Sequence, residues 1–406
     1  MRDVSAEVRR GGSGQVVVNG HRSPLRIAVI GPSRYPVSQP FAGGLESLVW
    51  HLVHGLRTRG HHVTLFAAEG SDGGDPELAF PAAGWHPSTT AAGDVSMPAP
   101  EFMSDHHSHL RLMLALGGRL ADRFDVVHNH SLHYLPLAMA PTLPQPVLTT
   151  LHTPPTPWLE SAVTAGARAG SFDSVPFGTT SFGNISFGDI SFSAVSGFLA
   201  RQWAGLLGPV PVVANGVDCR VWRPGPGGDD LAWSGRIVPE KAPHLAIEAA
   251  HRAGRRLVLA GPVQDTAYFD DCVRPALGCD IAYAGHLTSP ELSALVGSSA
   301  AALVTPMWDE PFGLVVAEAL ACGTPVVAFR RGGVPEVLSS PLLGELVTPG
   351  DPRAMGDAVD RVVHLDRGLV RASAETRLSR SAMVTAYEQL YRRLLSGSIA
   401  PESLLA

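Results

Sequence analysis

Short apolar runs alternate with helix-length segments along most of this chain, and that alternation restricts it to an α/β fold. The run at 25–31, LRIAVIG, is apolar throughout and ends in glycine, the pattern of a parallel strand buried on both faces. After a loop, Leu45, Leu48, Val49, Leu52, Val53 and Leu56 recur at helical spacing and form one stripe. Gly60 stops that helix, and 62–66 returns as a strand. Further strands are predicted at 125–130, 147–151, 192–196, 231–234, 256–260, 280–284, 301–305 and 325–328. Helices separate them, among them one over about 105–121, one over 243–253 and one announced by Ser289-Pro290-Glu291 as N-cap, N1 and first-turn acid. Asp351-Pro352 caps another, and a single long helix is expected over 373–395. With 406 residues the chain exceeds one ordinary core. Two Rossmann-like domains facing across a cleft follow, with a flexible tail at 1–24 and domains at 25–207 and 208–380. The Gly- and Pro-rich stretch at 207–230 joins them.

A 45% hydrophobic and 17% charged composition belongs to a globular protein. No apolar run approaches the ~18 residues that span a bilayer, and the opening has no signal-peptide core, so a cytoplasmic protein is expected. Cys219, Cys272, Cys279 and Cys322 lack metal-type spacing, which fits a reduced compartment. The net charge of −6 argues against nucleic acid as a partner and leaves any membrane contact peripheral.

The chemistry concentrates in 309–328, DEPFGLVVAEALACGTPVVA, a loop, helix, turn and strand. Glu310 lies in the loop and Glu318 about one turn inside the helix, so one ligand over the helix N-terminus could touch both. The free N–H groups of Gly313, Leu314 and Val315 would face an anion there. A diol on one side and a phosphate on the other outlines a nucleotide sugar; two solvated glutamates on a structural helix are the plainer alternative. Arg236 and Lys241, in the loop after the 231–234 strand, are candidates to neutralise a diphosphate, against the plainer reading of two surface cations. Gly43 and Gly44 sit where backbone would meet a ligand at the carboxyl edge of the first strand, although a Gly-Gly before a helix is more often just a turn. His130, at the end of the 125–130 strand, is a candidate donor to a sugar hydroxyl, against the plainer reading of a histidine bonded within its loop. No GxGxxG is present, which removes the main support for a dinucleotide oxidoreductase. Phenylalanine recurs every five residues at Phe172, Phe177, Phe182, Phe187 and Phe192, an insert over 171–192 expected to form a loop or small ladder.

Taken together, Glu310 to Glu318 as an E-x7-E element, Gly43-Gly44-Leu45-Glu46, the run 235–241 as GRxxxEK, NGVD at 215–218 and GGVPE at 332–336 resemble the retaining glycosyltransferases of family 4, of GT-B fold. The resemblance spans 25–396 and implies transfer of a sugar from a UDP-, GDP- or ADP-sugar to an unknown hydroxyl acceptor, with retention and without a metal or other cofactor. It implies that Glu318 takes the ribose hydroxyls, Glu310 the sugar, with backbone help at Phe312, Gly313 and Leu314. Arg236 and Lys241 would hold the diphosphate, Gly44 approach it, His130 touch the sugar and residues near Leu287 meet the base. It further implies that 381–396 crosses back to the first domain. Two features depart from the pattern: Ala242 replaces the usual glycine after Lys241, and the phenylalanine insert replaces a plain connection. A nucleotide-sugar 2-epimerase of the same fold and a non-catalytic sugar-nucleotide-binding protein are the competing readings.

Overall fold

The computed structural model describes residues 23–81, 85–96, 98–169 and 190–396. Strands β1 (Arg26–Ile30), β2 (His62–Phe66), β3 (Val126–Asn129), β4 (Val147–Leu151) and β5 (Ile190–Ala194) form one parallel sheet, ordered β2-β1-β3-β4-β5. Strands β6 (Leu231–Ser234), β7 (Leu257–Ala260), β8 (Ile281–Tyr283), β9 (Ala301–Val304), β10 (Val326–Phe329) and β11 (Gly344–Val347) form a second. Its order is β11-β10-β9-β6-β7-β8, again all parallel. The direction of winding reverses between β1 and β3 in the first sheet and between β6 and β9 in the second. Loops leaving the carboxyl ends on either side of such a point diverge and leave a crevice.

Both sheets are covered on both faces, which is why their strands read as unbroken apolar runs. Alternate residues of β1 point opposite ways. Ile27 and Val29 pack with the Gly44–Thr58 helix, while Ala28 and Ile30 pack with Leu112, Met113 and Leu116 of the Pro100–Gly117 helix. In the second sheet Trp233 and Leu259 face the Pro243–Ala253 and Pro352–Val362 helices. Ala232, Ala302 and Ala328 face the Leu314–Ala321 helix, in a core that continues into Val195, Leu199 and Trp203 of the first domain. The two domains therefore share buried apolar surface.

Several boundaries differ from the sequence expectation. The expected long C-terminal helix is two helices, Arg367–Arg377 and Arg380–Leu395. The break arises because the chain pairs there with the interdomain connection: Val217 N donates to Leu378 O at 2.8 Å and Arg380 N to Val217 O at 2.8 Å. Ser379 then caps the second helix through Ala382 N, and Asp218 holds Arg380 at 2.9 Å. That helix returns to the first domain, burying Met383, Val384, Tyr387 and Tyr391 beside the Gly44–Thr58 helix. The 105–121 helix starts earlier, with Pro100 in its first turn. Thr288 rather than Ser289 caps the Ser289–Gly297 helix, its N–H and hydroxyl both bonding to Glu291. Of the phenylalanine repeat, only Phe192, within β5, falls among the described residues; the copies at Phe172, Phe177, Phe182 and Phe187 lie outside them.

A methyl group on Gly216 would stand 2.7 Å from Ser379 O and from the Arg380 Cα, inside van der Waals contact with backbone. Gly216→Ala is expected to force the two connections apart and lower stability by about 1–3 kcal/mol, read as a fall in the urea midpoint with unchanged slope.

Candidate functional site

The two crevices face each other and merge into one cavity of about 670 Å³. From the second domain its wall is built by Gly235, Arg236 and Lys241 after β6, by His286 and Leu287 after β8, and by Trp308 and Glu310 to Val315 after β9, with Glu318 behind. From the first it is built by Arg34 and by 41–48 after β1, by Leu132 to Tyr134 after β3 and by His152 after β4. At the mouth His286 Nε2 donates to Phe41 O at 3.0 Å across the domains.

The loop carrying Glu310 is fixed from three directions. Gly332 and Gly333 pack edge-on against it: a Cβ on Gly332 would stand 2.2 Å from Glu310 O, and one on Gly333 2.6 Å from Pro311 O. Gly333 N donates to Glu310 O at 2.7 Å. Ser196, the cap of the Gly197–Leu207 helix in the first domain, donates its hydroxyl to Pro311 O at 2.6 Å. Glu336, the acid of GGVPE, accepts from Gly197 N at 2.6 Å, placing its charge at that helix's N-terminus. These clamps hold the two domains in register at the loop that both use.

Glu310 Oε2 is ion-paired with Lys241 Nζ and accepts from Trp308 Nε1 at 3.0 Å. The Lys241 ammonium also lies 5.0 Å from the centre of the Trp308 ring. Lys241 is the only lysine in the chain; every other basic side chain of this class is arginine. A compact ammonium, rather than a planar guanidinium, therefore meets the Glu310 carboxylate at the cavity wall. Arg236 is steadied by Gln264 Oε1, to which its NH1 donates at 2.9 Å, and by Glu240 at 3.7 Å. Ala242 has φ +48, the left-handed region, and is the only non-glycine there among the described residues; its burial holds the turn that presents Lys241.

Gly313, with φ +94, caps the Leu314–Ala321 helix and turns its first turn toward the cavity. Among the described residues the N–H groups of Gly313, Leu314 and Val315 have no hydrogen-bond partner. Glu318, 9% exposed, projects from this otherwise apolar helix, and burial pushes its carboxyl up to about 8. Across the gap Glu46 is also raised by burial, opposed by a bond to its own backbone and by the Arg236 and Arg34 charges. Gly43, Gly44, Arg236, Lys241, Leu287, Glu310, Phe312 to Val315 and Glu318 all line the one cavity.

His130 does not. Strand parity puts His128 and His130 on the same face, the one covered by the returning helix. His130 is fully buried and packs its ring near Tyr387. Its Nδ1 is paired with His152 Nε2 at 2.9 Å and its Nε2 with His128 Nδ1 at 3.2 Å, while His128 reaches Tyr391 OH at 2.7 Å. The cavity wall is formed instead by His152 and by His133, three positions further on. Burial holds His152 down to about 3; burial and then the neighbouring His109 hold His133 down to about 4, so these rings are neutral at pH 7. The repeated histidine spacing HNHSLH was the signal available, but only the loop geometry after β3 selects among its members.

Asp105, His109 and His133 bring three potential ligand atoms within 4.8 Å, the one such grouping among the described residues. Their rings argue against a shared ion: His109 and His133 are stacked with centroids 4.2 Å apart and planes 10° from parallel, so their in-plane lone pairs run side by side rather than converging. His133 Nδ1 already accepts from Leu135 N at 3.1 Å.

Residues 42–221 match the profile of glycosyltransferase family 4 and residues 225–379 that of glycosyl transferases group 1. Curated relatives include D-inositol 3-phosphate glycosyltransferases of Mycobacterium tuberculosis and Mycobacterium bovis. They are 27% identical over 401 residues, spanning 89% of this chain and 80% of theirs. Among solved structures, AviGT4, a glycosyltransferase involved in avilamycin A biosynthesis, is 25% identical with a TM-score of 0.62 and covers 92% of this chain and 99% of its own. Anabaena HepE, in complex with UDP and glucose, is 16% identical with a TM-score of 0.63 and covers 91% and 99%. The fold is GT-B.

Two measurements bear on this geometry. Because burial raises the Glu318 carboxyl from 4.5 to about 8, the folded protein loses stability as pH rises from the unfolded value through the folded one. The unfolding temperature of Glu318→Gln minus that of the wild type should therefore climb between about pH 5 and pH 8, and a flat difference would remove the buried carboxylate from the account. Gly333→Ala, by pushing on Pro311 O, should displace Glu310 and lower kcat at least tenfold with little change in far-UV circular dichroism.

Proposed function

The chain belongs to the group 1, family 4 glycosyltransferases, and within that family we propose that it is a retaining enzyme that uses a nucleotide-sugar donor and needs no divalent metal. The observation that carries this reading is the convergence of Arg236, Lys241 and three unpartnered N–H groups on the wall that also presents Glu310 and Glu318. Two cations and a helix N-terminus match a diphosphate, which is where charge develops as the sugar leaves. Glu318, buried and protonated near neutral pH, suits the ribose hydroxyls, to which a carboxyl can both donate and accept. Glu310 takes the sugar hydroxyls, and Leu287 meets the base. When the diphosphate arrives, Lys241 exchanges part of its bond to Glu310 for the anion, freeing a carboxylate oxygen for the sugar. His152 takes the place at the sugar expected of His130, backed by the buried His130 ring.

Among the described residues no carboxylate of the opposite wall stands free as a nucleophile: Glu46 is held up by burial and Asp105 faces His109. Front-face substitution is the mechanism that fits. The acceptor oxygen bonds to the anomeric carbon on the side from which the diphosphate departs, and the acceptor proton passes to a departing phosphate oxygen. Retention is then intrinsic, and the cationic wall supplies the charge neutralisation.

A thermal-shift panel of UDP-, GDP- and ADP-sugars should identify one class that raises the unfolding temperature, with the shift growing as ln(1 + [L]/Kd). EDTA should leave both that shift and turnover unchanged. With the stabilising donor, Lys241→Ala should slow turnover by about 100- to 1000-fold while the ligand-free protein still unfolds cooperatively. Turnover within tenfold of wild type would overturn the role given to Lys241.

A further inference from the structure

The first-domain half of the cavity has a chemistry of its own, and it differs from the donor half. We propose that it is an acceptor subsite for a hydroxyl carried on a flat, apolar body, an aromatic ring system or a glycoside of one, rather than for a phosphorylated polyol; this rests on the donor assignment above.

Three of the large apolar side chains that stay exposed border this one cavity: Trp158 at 60%, Leu132 at 48% and Phe102 at 36%. Exposed apolar groups gathered in one place, rather than scattered, mark a binding surface. The rings are ordered as a platform. Trp158 lies 5.7 Å from Tyr134 with planes 25° apart, and Phe102 packs 5.9 Å from Trp158. The stack continues inward through His133, 4.7 Å from Tyr134, to His109 and Phe80, so it is backed by buried rings and cannot collapse into the space. Tyr134 OH is tied to His106 Nδ1 at 3.0 Å, which fixes its plane.

Charge points the same way. Among the described residues lining this half, the one fixed cation is Arg34, which lies 5.2 Å over Tyr35 and interacts with the Glu46 carboxyl; Asp105 stands opposite as an anion. The wall histidines add none near neutral pH, since burial keeps His133 and His152 uncharged. A phosphomonoester carries close to two negative charges and calls for several cations or free N–H groups. The cations that could serve it, Arg236 and Lys241, stand on the opposite wall with the donor. A flat apolar acceptor instead loses water against Trp158, Phe102 and Tyr134, and offers its hydroxyl toward the donor sugar. Transfer then forms the bond from that oxygen to the anomeric carbon and breaks the bond from that carbon to the diphosphate, which takes the hydroxyl proton.

Binding can be read without turnover. Trp158 is the most solvent-open tryptophan of this cavity, so 4-nitrophenol, 4-nitrophenyl glucoside or a hydroxyflavone seated on it should quench tryptophan fluorescence saturably in the full-length protein. Trp158→Ala and Phe102→Ala should each weaken the apparent affinity at least tenfold. Leu114→Ala, which removes an exposed apolar group on the same helix away from the cavity, should leave the quenching curve unchanged. D-inositol 3-phosphate at millimolar concentration should not displace the probe. With the stabilising donor present, the aromatic acceptor should release nucleotide faster than inositol or its phosphate, and Trp158→Ala should raise its KM. Non-saturable quenching, quenching indifferent to Trp158→Ala, or displacement and preferred use of the inositol phosphate would overturn the proposal. Failure of the donor reading is separately visible, because then no nucleotide sugar would stabilise the wild-type protein.

Discussion

The Leu314–Ala321 helix has no polar face, and that constraint organises the site. An apolar helix is stable only when covered all round. Alanines on β6, β9 and β10 let it lie close to the sheet, and Val334, Val337 and the first-domain core close over the remainder. Its N-terminus and Glu318 are what it leaves toward the cavity, and at the N-terminus three N–H groups have no partner among the described residues. An unpaired buried donor is costly, so such an end is stable only if an anion or water completes it. The same burial lifts Glu318, the one ionisable group on the helix, into a range where it is protonated near pH 7. Anion preference at one end and a neutral carboxyl one turn later are thus two consequences of a single packing decision.

Position follows from the glycines and clamps around the Glu310 loop. Gly332 and Gly333 let the backbone of one loop lie directly on another, a contact that any side chain would prevent. Ser196 and Glu336 then link that loop and its neighbour to the N-terminus of a first-domain helix. The domain relation is fixed a second time where Val217 pairs with Leu378 and Arg380. Together with the His286–Phe41 bond at the mouth and the shared apolar core, these ties join the domains at several separate places. His152, His130, His128 and Tyr391 run in hydrogen-bonded succession from the cavity to the returning helix, so the tie at the crossing and the wall of the site are physically continuous.

Much of this was legible in the sequence because buried parallel strands and amphipathic helices leave unambiguous periods. The strands from β1 to β10 were placed within a residue or two. β11 was not, because Gly344 and Glu345 dilute a four-residue run below recognition. Most of the residues expected at the ligand come together in one cavity because they lie in the segments that follow parallel strands, at the carboxyl edges of the sheets. His130 was misplaced for the opposite reason. It also follows a strand, but the alternation of side chains aims it at the returning helix, whose position depends on contacts more than 200 residues away in sequence, such as the 263-residue separation of His128 and Tyr391. The break at Leu378 was invisible on the same ground, since it is caused by pairing with Val217 rather than by any local stop signal. Trp308, Ser196 and the aromatic wall carry no motif; they are found only when the loops are folded together.

On the proposed donor reading, the two halves of the cavity differ in how closely the packing of the sheets dictates them. The donor wall is made of backbone N–H groups, a helix end and side chains at strand edges, all of which the packing of the sheet dictates. Changing them disturbs the core. The facing wall is made of Phe102, Leu132, Tyr134 and Trp158, which come from helices and a loop; Tyr134 is half-buried in the ring stack, while the other three stay exposed. Phe102, Leu132 and Trp158 can be exchanged at little cost in stability, because exposed positions contribute little to folding. Specificity for the acceptor is therefore free to follow the chemistry of the acceptor, while the donor half answers first to the fold.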